Sequence, residues 1–171
     1  MRTRRAIPLS GIKIKSLTEL AKISNRLKNK GKKVVFTNGC FDLLHYGHVM
    51  YLEKSKAKGD FLIVGINSDS SVKRIKGDKR PIVNENDRAK VIEALASVDY
   101  VVLFQEDTPY ETIRILKPDI LIKGADWKKN NIVGADIVKS YGGKIVTIEL
   151  VKGRSTTNLI KKIAETFSEY K

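Results

Sequence analysis

Two rhythms of apolar residues alternate along the chain. Leu17, Leu20, Ser24 and Leu27 fall on one helical face, Ser16-Leu17-Thr18-Glu19 is a capping box at its start, and Gly31 stops it, so the pattern predicts an amphipathic helix. Lys33 to Thr37 is a short β-branched run that closes on the polar turn Asn38-Gly39-Cys40, as a buried parallel strand does. Helical spacing returns from Tyr46 to about Lys58 and closes at Gly59, and Phe61 to Ile66 is a second unbroken apolar run. Together these segments predict one β-α-β unit.

The polar stretch from Asn67 to Asn84 carries Lys73, Arg74, Lys76, Lys79 and Arg80 and is too long for a simple connection, which marks it as a functional loop. A helix over about 85–96 and a strand over 98–104 follow. Another helix opens at Thr108-Pro109-Tyr110-Glu111, with Thr108 as N-cap and Pro109 at the first helical position, and ends at Pro118. Then come a short strand over 120–122, a helix over about 132–141 and a strand over 144–149. The C-terminal helix spans 156–167, with Leu159, Ile160, Ile163 and Phe167 turned inward. This strand-then-helix order predicts a mostly parallel sheet covered on both faces, with right-handed crossovers and a ligand edge at the strand carboxyl ends.

With 171 residues and 42% hydrophobic content, the chain has the size of one compact domain. Residues 1–15 show no period and read as a flexible basic arm ahead of a domain over 16–171. No apolar stretch approaches the roughly 18–20 residues of a membrane span, and no signal-peptide core follows the basic start, so a cytoplasmic protein without a membrane partner is expected. The single cysteine, Cys40, has no mate for an intrachain disulfide, and no Cys/His set has zinc spacing. A net charge of +14 favours anionic partners, either nucleic acid or phosphorylated small molecules. The lysines are scattered, with doublets at Lys32-Lys33, Lys128-Lys129 and Lys161-Lys162. Most therefore read as solvated helix faces, which disfavours nucleic acid.

Both histidines fall in His45-Tyr46-Gly47-His48, just after the first strand and at the opening of a helix. A helix N-terminus offers unpaired N–H groups and partial positive charge to phosphate oxygens, imidazole donors on the same edge add to this, and Gly47 lets the backbone approach closely. Capping or core histidines, or a metal pair at helical spacing, would use the same residues. Gly153-Arg154-Ser155-Thr156-Thr157-Asn158 opens the last helix, where Ser and Thr can cap it and donate to phosphates as well.

The segment Asn38-Gly39-Cys40-Phe41-Asp42-Leu43-Leu44-His45-Tyr46-Gly47-His48 resembles the signature of the HxGH nucleotidyltransferases over its whole length. The resemblance implies a Rossmann-like, doubly wound α/β sheet in three α/β/α layers. It also implies a triphosphate site where His45 and His48 stabilise charge at the α-phosphorus while an acceptor phosphate attacks in line and pyrophosphate leaves, with no covalent enzyme intermediate.

Asn67-Ser68-Asp69, Lys79-Arg80-Pro81-Ile82, Asp87-Arg88, Leu121 to Asp126, Ile132 to Asp136 and Ser155 to Asn158 are similar to the heptose 1-phosphate adenylyltransferase domain, over about residues 16–165. That likeness implies nucleotide contacts from Gly39, Cys40, Phe41, Gly47, Lys123, Gly124, Asp126, Ser155, Thr156 and Thr157. It implies sugar-phosphate contacts from Asp42, Asn67, Asp69, Arg80 and Arg88, and no protein-held metal centre. ATP is the implied substrate with Mg2+ on its phosphates, a separate sugar kinase supplies the acceptor, and the assembly is a homodimer or larger.

Ala125, Trp127 and Arg154 depart from the family pattern, which commonly has a glycine, a tyrosine and an uncharged residue there. Cytidylyltransferases of polyol phosphates and adenylyltransferases of FMN resemble the chain in the same histidine signature and stay open as alternatives. The plainer readings are surface charge for Arg80 and Arg88, with Arg88 paired to Glu85 or Asp87, and packing for Cys40, Tyr51, Trp127 and Tyr141.

Overall fold

Val34–Gly39 (β1), Phe61–Asn67 (β2), Tyr100–Phe104 (β3), Ile120–Gly124 (β4) and Lys144–Ile148 (β5) pair as one parallel sheet in the order β3-β2-β1-β4-β5. The computed structural model describes residues 13–127 and 131–168. The central strands β1, β2 and β4 are buried on both sides, which is why their sequences are continuous apolar runs instead of alternating ones. Helices α1 (Leu17–Asn29), α5 (Tyr110–Leu116) and α6 (Ala135–Ser140) pack on one face through Leu20, Leu27, Ile113, Leu116 and Val138. Helices α2 (Tyr46–Lys56) and α4 (Glu85–Glu93) cover the other through Tyr51, Leu52, Ala89 and Ile92. The fold is the expected doubly wound three-layer α/β/α sheet.

The Ser16 capping box forms: Glu19 N–H donates to Ser16 Oγ, and Ser16 N–H donates to the Glu19 carboxylate at 2.9 Å. Of the arm expected over 1–15, residues 1–12 lie outside the described residues, as do Lys128 and Lys129. Residues 13–15 extend the sheet edge, with Ile14 bridging Val101 and Lys15 N–H donating to Val101 O at 2.9 Å.

Four expectations change. The polar stretch after β2 opens with helix α3 (Asp69–Lys76), capped by Ser68 Oγ accepting the Ser71 N–H and anchored by buried Val72; one apolar anchor in eight residues leaves no legible period. Pro109 is the cap of α5 instead of its first residue, which frees Thr108 for the cleft described below. Helix α6 starts at Ala135 and not at Ile132, because Gly134 turns the chain with φ of 82°, and a Cβ there would meet the Ile113 side chain at 2.7 Å. The C-terminal helix α7 (Thr156–Thr166) buries no side chain: Ile163 is 51% and Phe167 58% exposed, against the expected inward face. Among the described residues, no helix is long and apolar enough to cross a membrane.

Candidate functional site

The sheet order reverses between β1 and β4, and in such sheets ligands sit outside the carboxyl ends at that switch point. Backbone pairing of β1 with β4 stops at Phe36 and Leu121, whereas β1 stays paired to β2 as far as Gly39 and Ile66. Side chains bridge the gap: Thr37 Oγ1 donates to Ile122 O at 3.1 Å, and Lys123 Nζ donates to Asn38 Oδ1. Above this floor lies a cleft of two lobes, about 450 and 370 Å³, which share Cys40, His48, Lys76, Lys123, Asp126 and Thr156.

The turn from β1 into α2 holds the histidines. Phe41 takes a left-handed φ of 47°, a conformation that costs a non-glycine residue roughly 1–2 kcal/mol, and its ring meets His48 edge-on at 5.2 Å. His45 is the N-cap of α2 in extended conformation and makes no side-chain capping bond, so the expected alternative of a capping histidine does not apply. The two imidazoles stack with centroids 3.8 Å apart and planes 19° from parallel. Gly47 makes room between them and the last helix, since a Cβ would lie 3.0 Å from the His45 ring and 3.1 Å from Arg154 Cβ. Burial pushes the His48 pKa down to about 4, with His45 adding to the shift, and burial then Arg154 lower that of His45. Both rings are therefore neutral at pH 7. Their Nδ1 atoms are buried and have no hydrogen-bond partner among the described residues, a state that costs roughly 1–3 kcal/mol per group.

Asp42 and Arg88 act beneath the cleft. The Asp42 side chain is fully buried, pairs with Arg80 Nε, and accepts the Ile82 and Val83 N–H groups at 2.8 and 2.9 Å. It thereby fixes the 80–83 loop and aims Arg80 at the larger lobe, which Arg80, Asn67 and Asp42 line. Arg88 is 1% exposed, and its guanidinium is spent on Val83 O (2.9 Å), Asn67 O (2.8 Å), Cys40 O and the Asp69 carboxylate (2.8 Å). Neither Arg88 nor Asp69 lines the cleft. Arg88 thus ties the ends of β1 and β2 to the 80–83 loop, with Asp69 as its ion-pair partner, and it is not the surface charge of the plainer reading. Arginine suits this because its planar fork can serve several acceptors at once.

The smaller lobe lies between β4 and α7. Lys123 is 9% exposed, burial lowers its pKa to about 8 against the opposing pull of Asp126, and its Nζ stands 5.6 Å from the Trp127 ring centroid. A Cβ on Gly124 would overlap the Asp126 carboxylate, so glycine there permits the tight turn from strand to Asp126. Ser155 Oγ caps α7 by accepting the Asn158 N–H at 3.1 Å, and Thr156 Oγ1 donates to Leu43 O at 3.4 Å, which joins this turn to the histidine segment. Ser155, Thr156 and Thr157 all line the cleft. Burial raises the Cys40 thiol, so it sits there protonated.

Lys76, at the end of α3, lines both lobes; in the sequence it is only one of the loop charges, because α3 leaves no legible period. Arg154, noted as a departure, lines the smaller lobe beside His45. Trp127 is on the rim at 46% exposure, whereas Tyr51 is buried with its hydroxyl 2.7 Å from Thr37 Oγ1, and Tyr141 lies at the far end of the sheet with its hydroxyl donating to Pro118 O.

A family model described as cytidylyltransferase-like matches residues 36–168. The bifunctional protein HldE of Geobacter metallireducens is 54% identical over 160 residues, covering 94% of this chain and 33% of that protein. HldE of Geobacter sulfurreducens is 50% identical over 157 residues, covering 92% and 32%. The chain thus spans about a third of the length of the curated relatives it matches. Among solved structures, the lipopolysaccharide core biosynthesis protein of Thermoplasma volcanium superposes with a TM-score of 0.60 at 35% identity, over 71% of this chain and all of that one. Pantothenate synthetase of Thermus thermophilus shares the fold, with a TM-score of 0.61 at 15% identity over 86% of this chain and 67% of that one.

Proposed function

Because the chain belongs to the cytidylyltransferase-like family, and is a nucleotidyltransferase, we propose that it transfers AMP from ATP to a heptose 1-phosphate, giving an ADP-heptose and pyrophosphate. The observation that carries this is the stacked, neutral His45–His48 pair at the switch point, at the seam of the two lobes. An oxygen of the acceptor phosphate attacks the α-phosphorus, the bond to the bridging oxygen breaks, and pyrophosphate leaves. The acceptor lies in the larger lobe against Arg80 and Asn67, and the nucleotide in the smaller lobe along Lys123, Gly124, Asp126 and the Ser155–Thr157 turn. Neutral imidazoles act as N–H donors to the charge that builds on the transferred phosphate, and Lys76 and Lys123 supply fixed positive charge there.

Among the described residues no group of three or more His, Cys, Asp or Glu could hold a metal. Mg2+ asks for less, one or two carboxylates with phosphate oxygens, and Asp126 on both lobes fits that need. When bound, Mg2+ neutralises part of the triphosphate charge. Support for the sugar comes from the six segments that resemble heptose 1-phosphate adenylyltransferases and from the relative named for lipopolysaccharide core biosynthesis. The acceptor is then the product of a sugar kinase.

The test is pyrophosphate release with Mg2+ and each of ATP, CTP, GTP and UTP against heptose 1-phosphate, glycerol 3-phosphate and FMN. ATP with heptose 1-phosphate is the expected productive pair, lost in His48→Ala. Turnover of CTP with glycerol 3-phosphate, or of FMN, keeps the chemistry and overturns the substrate.

A further inference from the structure

The loop after β3 lines the larger lobe through Asp107, Thr108 and Pro109 and takes no part in the smaller one. In the sheet order, β3 stands two strands from β1, so this loop lies roughly 10 Å across the sheet from the histidine turn, while Lys123 and Asp126 at the end of β4 lie on the turn's other side. An acceptor whose phosphate meets the α-phosphorus at the histidines therefore extends its carbon skeleton toward the loop. Helix α3 holds that loop in place. Ser71 Oγ donates to Glu106 O at 2.8 Å, Arg74 Nη2 donates to Gln105 O at 2.6 Å, and Arg74 Nε donates to Asp107 Oδ1 at 2.6 Å. Asp107 Oδ2 has no partner among the described residues.

Three carboxylates line the larger lobe, and they differ in what they are free to bind. Asp42 is spent on Arg80 and on the Ile82 and Val83 N–H groups, and Asp126 faces both lobes. Asp107 alone faces only the acceptor side with an oxygen to spare. A carboxylate there repels a phosphate, and the guanidinium on its Oδ1 weakens it as a metal ligand. It remains a strong acceptor for a neutral O–H donor. We propose that Asp107 is a specificity-determining residue that accepts a hydrogen bond from a hydroxyl on the acceptor's carbon skeleton, with Arg74 as its positioning residue. This rests on the larger lobe being the acceptor site and not on which phosphorylated polyol fills it, since heptose 1-phosphate, glycerol 3-phosphate and FMN all carry such hydroxyls. A site built to bond a hydroxyl rejects the analogue that lacks it, because the carboxylate oxygen is then desolvated without a partner.

Steady-state pyrophosphate release with Mg2+ and saturating ATP tests this on the acceptor that the wild type turns over. Asp107→Ala is expected to lower kcat/KM for that acceptor roughly ten- to a hundredfold, the range for losing a hydrogen bond to a charged group, with KM for ATP unchanged. The urea midpoint should hardly move, because an ion pair with both side chains about half exposed contributes little stability. Arg74→Gln should cost less and act through the acceptor's KM. Monodeoxy analogues of the acceptor separate contact from support. The wild type should lose the same factor on the one analogue whose missing hydroxyl meets Asp107, and on that analogue Asp107→Ala should lose nothing further. An Asp107→Ala variant that handles the acceptor as the wild type does, or that loses the same factor on every analogue, overturns the proposal. Turnover of glycerol 3-phosphate or FMN in place of heptose 1-phosphate overturns the sugar reading alone, and the Asp107 comparison is then decided on that acceptor.

Discussion

Arg88→Met separates a buried positioning role from direct substrate contact. Methionine fills a similar length of space but donates nothing, so it strands the Val83, Cys40 and Asn67 carbonyls and releases Asp69. Each buried acceptor left unpaired costs about 1–3 kcal/mol, part of which is offset because a guanidinium no longer has to be desolvated. The net loss for breaking such a network is about 3–5 kcal/mol. Against a total stability of about 5–15 kcal/mol this is large, and urea unfolding followed by circular dichroism at 15 °C would resolve it easily. Because Cys40 and Asn67 stand at the ends of β1 and β2, the variant that remains folded should also lose kcat, with KM for both substrates raised together. Arg88→Lys should rescue little, since one ammonium cannot reach three carbonyls from a single point. A stability loss below about 1 kcal/mol, combined with a rise in KM for the sugar phosphate alone, would refute this and return Arg88 to the substrate.

The lowered His48 pKa has a signed consequence for stability. Between pH 6.5 and about 4 the unfolded chain takes up a proton at His48 that the folded chain refuses, so stability falls with pH over that window, by up to about 3 kcal/mol, and the His48→Gln variant loses this slope in urea unfolding. Activity should likewise show no step near pH 6.5. Lys123, with a pKa of about 8, loses its charge above that pH, so kcat/KM should decline through pH 8, and Lys123→Arg should shift that limb beyond pH 10; a flat profile to pH 10 in the wild type would count against a role for its charge. Gly47→Ala drives a Cβ against the His45 ring and Arg154. It should lower kcat about tenfold or more with a small change in unfolding free energy, because alanine's helix propensity, worth about 1 kcal/mol, offsets part of the overpacking.

Most of the architecture was legible because buried parallel strands and a capping box leave local marks: the β1, β2 and β4 runs and Ser16–Glu19 were placed within a residue or two. Helix α3 left no such mark, since Val72 is its single buried large apolar residue, and Lys76 at its end stayed unread as part of the cleft. The histidine pair could be found because both residues lie in one turn. The roles of Asp42 and Arg88 could not, because a sequence shows that an arginine is present and not whether its donors face a substrate or three backbone carbonyls. The inward face expected for α7 was a correct reading of its stripe and an incorrect one of what covers it. Amphipathic spacing says that a face seeks a partner, and the same chain need not provide one.

Transfer of label from [α-32P]ATP to heptose 1-phosphate bears most directly on the proposed chemistry. With Mg2+ present, all transferred label should appear in a single nucleotide sugar, with unlabelled pyrophosphate released in equal amount, no label on the protein after denaturation, and no transfer by the His45→Ala or His48→Ala variants. Label retained on the protein, or transfer undiminished without both imidazoles, would contradict direct in-line displacement at the His45–His48 seam.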